Sequence, residues 1–94
     1  MPMFAVDYVY SPATIPGRDE HRPAHRDWLR GQAGAGVVAS VGAYADGSGA
    51  LVLVNASTPE EVAAILADDP FAVHNLLESV RIREWKPTIG AFAG

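Results

Sequence analysis

The 94-residue sequence contains no cysteine, so thiol chemistry is excluded. The candidates for acid–base catalysis or metal binding are three histidines and a few acidic residues. His21 and His25 are four residues apart, so a helix would place both on one face, where they could form part of a metal site. The third ligand would have to be Asp7, Asp69 or His74, and no motif supports any of them. We therefore prefer one buried and one solvated histidine, and we predict no metal and no cofactor.

Two adjacent acids, Asp68 and Asp69, stand immediately before Pro70, where a predicted helix ends. Negative charge at a helix C-terminus is unfavourable against the helix dipole, which suggests another use for the pair. A carboxylate that precedes a proline has a restricted backbone, and it could orient a histidine and favour its cationic form. The alternative is a pair of solvated acids.

A ligand could also approach the backbone at Gly42, whose neighbours include Ser40. The alternative that we favour for Gly42 is a β-bulge before a hairpin. Arg22, Arg26 and Arg30 recur every four residues and would form a row on a helix, which is most often a solvated face. Of this row, only Arg22 is expected to lie near the candidate site.

Four strands and two main helices must position these residues. β-branched and aromatic residues predict the strands, and Asp46-Gly47 indicates a type I′ hairpin turn. Pro23 suits a first helical turn, and Thr58-Pro59-Glu60-Glu61 has the residues of a capping box. The predicted strands cover residues 3–10, 37–44, 50–55 and 78–85, and the predicted helices cover about 22–33 and 58–68, with a loop over 11–17, a short helical turn over 71–76 and an irregular tail over 86–94.

The order β-α-β-β-α-β is that of the ferredoxin-like fold. We predict an α+β protein with one domain over residues 1–94, in which a four-stranded antiparallel sheet carries two helices on one face. The strand over residues 50–55 is apolar on both sides, and the strand over 3–10 is nearly so. A bare apolar sheet face normally marks an interface, so we predict a homodimer in which two sheets stack face to face.

Asp7 is the one carboxylate within residues 3–10. Phe4, Val6 and Tyr8 would share the opposite face of that strand because side chains alternate along it. For Asp7 we favour an edge or rim position over a polar group in a cavity.

Composition excludes several classes of function. The formal net charge of −4 argues against a sequence-independent nucleic-acid binder, which needs a basic surface. We expect no membrane partner, because no apolar run approaches the roughly 20 residues of a membrane helix. The start of the sequence has no charged region and no cleavage site of a signal peptide. With no cysteine, the sequence fits a reducing compartment, and we expect a cytoplasmic protein.

Several short segments, in this order and spacing, resemble the YciI-like (YCII-related) family. They are Arg22-Pro23-Ala24-His25, Trp28-Leu29, Gly36-Val37, Tyr44-Ala45-Asp46-Gly47, Ala67-Asp68-Asp69-Pro70-Phe71 and the closing strand from Val80 to Arg83-Glu84-Trp85. The resemblance covers nearly the whole chain and implies a dimeric α+β barrel with a ferredoxin-like fold. It also implies a pocket around a histidine–aspartate pair, which by position is His25 and Asp69. Two features depart from the family pattern: Gly42-Ala43 stands where relatives often have Gly-Pro, and His74 has no counterpart.

Two functions remain open from the sequence. In the first, the protein is a cofactor-independent enzyme in which His25 is the general acid or base and Asp69 orients it. Such a pair suits isomerisation, lyase chemistry or elimination of halide from a small cyclic or phenolic substrate, and one family relative is a dehydrochlorinase of a chlorinated hydroxyquinol. Substrate contacts are assigned to Arg22, Ser40, Gly42 and Phe71. No nucleophile elbow, Rossmann glycine motif or phosphate loop is present.

In the second, the protein is a non-catalytic module that binds a small acidic or aromatic ligand. Arg22, Arg81 and Arg83 would then contact the anion, with Phe71 and Trp85 as apolar walls. A third interpretation is that the His–Asp pair is only structural.

Overall fold

A computed structural model describes residues 1–93, which contain four strands and three helices. The strands are β1 (Met3–Val9), β2 (Val38–Ala43), β3 (Gly49–Asn55) and β4 (Ser79–Trp85), and the helices are α1 (Ile15–Gly34), α2 (Pro59–Leu66) and α3 (Pro70–Val73), with a short 3₁₀ turn over Pro12–Thr14. Within residues 1–93, no helix combines the length and the apolar character that a bilayer span requires.

The four strands form one sheet in the order β2-β3-β1-β4, and every neighbouring pair is antiparallel. β1 is central, so that Val6 faces Val52 of β3 on one side and Ile82 of β4 on the other. The helices cover one face of this sheet. The predicted ferredoxin-like α+β fold is therefore confirmed.

The core lies between the sheet and the helices. Phe4, Val6 and Tyr8 of β1 are buried, whereas the residues between them are only partly so, because successive side chains of a strand point to opposite faces. Leu29 of α1 and Val62 of α2 belong to the same buried cluster. The prediction that Phe4, Val6 and Tyr8 share one face of the strand is therefore confirmed, and that face packs against the core.

Helix α1 begins earlier than the sequence suggested. It starts at Ile15, so the predicted loop over residues 11–17 is wrong beyond Thr14. Pro16 occupies the first turn, where its missing N–H costs nothing. Pro23, which was predicted to begin the helix, lies inside it and is exposed, so water can reach the backbone carbonyl that loses its helical partner.

The connection between β2 and β3 differs from the predicted two-residue turn. Gly47 has a φ of +76°, but Asp46 does not adopt a positive φ, which a type I′ turn requires at both central residues. The N–H of Tyr44 donates to the carbonyl of Gly49, and a longer loop lies between them. The type I′ prediction is therefore wrong.

Asp7 lies in the middle of the central strand, on the sheet face opposite the helices. It accepts hydrogen bonds from the Tyr44 hydroxyl and, at 3.0 Å, from Nη2 of Arg83. The predicted edge or rim position is wrong, since β1 has a neighbouring strand on each side. Cross-strand partners satisfy the carboxylate on this otherwise largely apolar face.

Close approach of β1 to β3 requires glycine at position 49. A Cβ there would lie 1.9 Å from the backbone oxygen of Tyr8. We expect Gly49→Ala to lower the free energy of unfolding by about 1–3 kcal/mol or more, because backbone must move. Gly31→Ala is the matched control: its Cβ would meet nothing within 4 Å in α1, and it should stabilise by about 0.5–1 kcal/mol. Urea unfolding measures both, and equal effects would contradict the geometry.

Candidate functional site

His25 lies on the buried face of α1 and is 8% exposed. Its ring stacks flat on Phe71, with the ring centroids 3.7 Å apart and the planes 1° from parallel. Leu29, one turn further along the helix, is also buried. This packing fixes the plane of the imidazole, so its two nitrogens point in defined directions.

Asp69 is the N-cap of α3, not an acid at the end of α2, which ends at Leu66. Its Oδ1 accepts the backbone N–H of Phe71 at 3.0 Å, and Pro70 occupies the first turn of the new helix. A carboxylate in this position is favourable. The unfavourable placement predicted for Asp69 is wrong, because the proline begins a helix here as well as ending one.

The Asp69 carboxylate connects α1, α3 and β1. It is completely buried, and its Oδ1 lies 2.7 Å from Nδ1 of His25. Its other oxygen, Oδ2, accepts the hydroxyl of Tyr8 at 2.8 Å. The structure thus brings into contact two residues that are 44 positions apart in the sequence.

These contacts define the state of the neutral His25 ring. A carboxylate only accepts, so Nδ1 of His25 carries the proton and donates it to Asp69. Nε2 is left with a free lone pair. Within residues 1–93, no fully buried side-chain nitrogen or oxygen lacks a hydrogen-bond partner, so Nε2, which has none, is not fully enclosed. His25 is one of the residues that line the cleft described below.

The tyrosine beneath Asp69 stays protonated. Burial raises the pKa of Tyr8 far above its ordinary range, and the negative charge of Asp69 raises it further. The Tyr8 hydroxyl is therefore a fixed donor to the carboxylate. The sequence analysis placed Tyr8 on the same face as Phe4 and Val6 but gave it no role; the missed signal is that a buried tyrosine hydroxyl needs a partner.

This pKa shift makes stability depend on alkaline pH. The neutral phenol is favoured in the folded state, so its contribution to stability is complete below pH about 10, the unfolded pKa, and falls as pH rises above it. We expect an ultraviolet titration to show Tyr8 ionising only when the protein unfolds. Tyr8→Phe should therefore remove one tyrosine from the titration of the unfolded protein and none from the titration of the folded protein. Loss of a group that titrates in the folded protein would contradict the burial argument.

A cleft of about 580 Å³ opens beside His25, between α1 and the β2–β3 hairpin. Tyr10, Leu29 and Phe71 give it apolar walls. Arg18, Arg22 and Arg26 also line it, and Asp46 reaches it from the hairpin. The site is large enough for a small ring-shaped molecule, and its ionisable groups are mostly cationic.

The predicted contact residues do not all reach this cleft. Arg22, Gly42 and Phe71 line it, but Ser40 does not: it borders a depression on the opposite face of the sheet, beside Leu53. The favoured bulge at Gly42 is also wrong. Gly42 pairs regularly with Leu51, and the register shift lies earlier, between Val38 and Ser40.

The arginines divide between the two faces of the sheet. Arg26 reaches the cleft as well as Arg22, which the sequence analysis had singled out, and Arg22 forms an ion pair with Asp19 at 2.6 Å. Arg83 bonds to Asp7 on the opposite face. Arg81 and Trp85 share that face, because they are two residues before and after Arg83 on β4. Of the five residues predicted to form an anion site, only Arg22 and Phe71 therefore line the cleft.

The remaining histidines contact each other. The rings of His21 and His74 stack with centroids 3.7 Å apart and planes 14° from parallel, one turn of α1 away from the His25–Phe71 stack. Among the described residues, no three histidine, aspartate or glutamate side chains are grouped as metal ligands. His21 therefore stacks on His74 and His25 on Phe71, so the two histidines considered as a metal pair have different partners.

Fold and site together define a ferredoxin-like α+β protein with a buried histidine–aspartate pair beside a cleft. A model of the YCII-related domain matches residues 3–86, so the chain belongs to that family. The family resemblance drawn from the sequence is confirmed.

The comparison with solved structures agrees with the fold. The chain is similar to 5-chloro-2-hydroxyhydroquinone dehydrochlorinase from Burkholderia phenoliruptrix AC1100, in a complex with 2,5-dihydroxybenzoquinone. The TM-score is 0.77 and the sequence identity is 19%, over 89% of this chain and 93% of the other. A search of curated protein sequences found no match.

Proposed function

We propose that this protein is a cofactor-independent enzyme that moves protons on a small cyclic or phenolic substrate, with His25 as the general acid and base. One observation carries the proposal: Asp69 holds Nδ1 of His25 while Nε2 remains free at the cleft. Asp69 orients the ring and stabilises the imidazolium that forms after proton uptake. Tyr10, Leu29 and Phe71 give the cleft beside His25 an apolar lining that suits a ring-shaped substrate.

Elimination of hydrogen chloride from a chlorinated hydroquinone illustrates the chemistry. His25 takes the proton of a ring hydroxyl and returns it to the neighbouring carbon that bears chlorine, which gives a cyclohexadienone. It then takes the proton of a second hydroxyl; that oxygen becomes a carbonyl, the ring electrons shift, and the C–Cl bond breaks with loss of chloride. The substrate loses one proton and one chloride and becomes a quinone, so no external oxidant is needed.

The solved relative supports this substrate class. Its name assigns it to the dehydrochlorination of a chlorinated hydroxyhydroquinone, and its ligand is a dihydroxybenzoquinone. The apolar and cationic residues that line the cleft favour the same class of molecule.

The test is turnover of 5-chloro-2-hydroxyhydroquinone under anaerobic conditions, followed by chloride release and quinone absorbance. We expect catalysed release of one chloride for each quinone formed. A second assay follows exchange of ring hydrogens of unchlorinated hydroxyhydroquinone with deuterated water, which reports proton transfer alone. Stoichiometric thermal stabilisation without chloride release or exchange would contradict the enzyme and favour the binding module.

We also propose a homodimer in which the two open sheet faces stack. Met3, Ala5 and Leu51 lie on this face, and Tyr44 and Trp85 there are each 39% exposed. The contacts of Asp7 leave its carboxylate satisfied if the face becomes buried. Light scattering at micromolar concentration should give twice the monomer mass of 9.9 kDa, and a value near 9.9 kDa would contradict the dimer.

A further inference from the structure

Arg18 is a buried cation without an acidic partner. Its residue is 5% exposed, yet no carboxylate of residues 1–93 forms an ion pair with it. Burial of an unpaired charge is costly, and proteins normally compensate for it with a counter-ion. A buried guanidinium without a carboxylate partner is therefore a candidate binding group for an anion.

The guanidinium is held rigidly but only partly used. Nη1 donates to the backbone oxygen of Ser11 at 2.9 Å and also to the hydroxyl of Thr14. The guanidinium carbon lies 4.3 Å from the centre of the Tyr10 ring, a cation–π contact. Nε and Nη2 have no acceptor among the described residues, and neither is completely enclosed, since no fully buried side-chain nitrogen there lacks a partner.

Arg18 lines the same cleft as His25. The two residues are seven positions apart on α1, which is about two turns on one face and about 10 Å along the axis. A single six-membered ring with one anionic substituent fits between two side chains at this spacing. The surrounding charge agrees, because Arg22 and Arg26 line a cleft in a chain whose net charge is −4.

We propose that Arg18 binds the anionic group of the substrate, a carboxylate or phenolate on a small ring, and so sets which ring position faces His25. A guanidinium fork with two free N–H groups matches two carboxylate oxygens or one phenolate oxygen. That this ligand is a substrate rests on the proposed function. Binding of the anion by Arg18 can be measured without turnover.

Benzoate and benzamide are matched probes, because they share ring and shape and differ in charge. We would follow the amide signals of Gly42, Gly47 and Gly49, which line the cleft, in an NMR titration. Benzoate should saturate the site, and benzamide should bind about tenfold more weakly or less, as expected for loss of a hydrogen bond to a charged group. Equal affinity for the two, or no binding of benzoate, would overturn the proposal.

Substitutions test whether Arg18 is the residue that binds the anion. Arg18→Gln should reduce benzoate affinity about tenfold to the level of benzamide, and Arg18→Lys should keep a preference for benzoate. Arg30→Gln is the control, since Arg30 pairs with Asp27 outside the cleft and should not change affinity. Undiminished binding by Arg18→Gln would overturn the assignment. If that variant does not fold, the Nε–H signal of Arg18 decides: it must shift with benzoate and not with benzamide.

The Arg18 anion site and the proposed enzymatic function can be contradicted independently of each other. His25→Gln should bind benzoate with unchanged affinity while losing turnover. Absence of turnover together with charge-selective benzoate binding would leave the Arg18 site intact and remove the enzyme. Turnover without benzoate binding would support the enzyme and overturn the Arg18 site.

Discussion

His25→Gln should lower the rate of chloride release or ring-hydrogen exchange by about 10²–10⁴-fold, the usual contribution of a positioned acid–base group. Glutamine can still donate a side-chain hydrogen bond to Asp69, but it cannot take up a proton. The expected loss is therefore in chemistry and not in folding. The measurement is kcat for the wild type and the variant on the same substrate.

His74→Gln is the matched control for this prediction. His74 stacks on His21, is exposed, and is not among the residues that line the cleft. It should keep the wild-type rate. If the two variants had the same rate, His25 would not be the acid–base residue.

Asp69→Ala should be the most destabilising single substitution at the site. It removes the acceptor of three buried donors: the Tyr8 hydroxyl, Nδ1 of His25 and the N–H of Phe71. Leaving such groups unpaired in the interior costs about 3–5 kcal/mol, a large part of the roughly 5–15 kcal/mol that stabilises a typical domain. Urea unfolding followed by tryptophan fluorescence measures the loss.

The neighbouring acid provides the control. Asp68 is exposed, whereas Asp69 is completely buried. Asp68→Ala should change the free energy of unfolding by no more than about 0.5 kcal/mol. Asp69→Asn should fall between the two, because an amide keeps one acceptor oxygen. Equal losses for the two alanine variants would show that the buried hydrogen bonds do not stabilise the fold as we infer.

Periodic patterns predicted the sheet because burial on one face imposes alternation on each strand. β1 and β4 were placed within a residue or two of their observed bounds for this reason. The start of α1 was missed because a proline suits a first helical turn, and the helix contains both Pro16 and Pro23. Pro16 lies in the first turn, whereas Pro23, from which the start was predicted, lies inside the helix.

The site depended on contacts that no local pattern encodes. Only the family resemblance suggested that His25 and Asp69 meet, since the hydrogen bond spans 44 positions. The sequence analysis gave Arg18 no role, because its burial depends on how α1 packs against Tyr10. Ser40 was assigned to the cleft as a neighbour of Gly42, but the register shift lies between Val38 and Ser40 and not at Gly42, where the bulge was predicted.

The central claim is that Asp69 fixes His25 with Nε2 free at the cleft. A long-range ¹H–¹⁵N NMR correlation of the ring nitrogens at mildly alkaline pH tests it directly, and three histidines make assignment simple. Our account predicts that His25 carries its proton on Nδ1 in the wild type and loses this preference in Asp69→Ala. A proton on Nε2 in the wild type would contradict it, because His25 could then not accept a proton at the cleft.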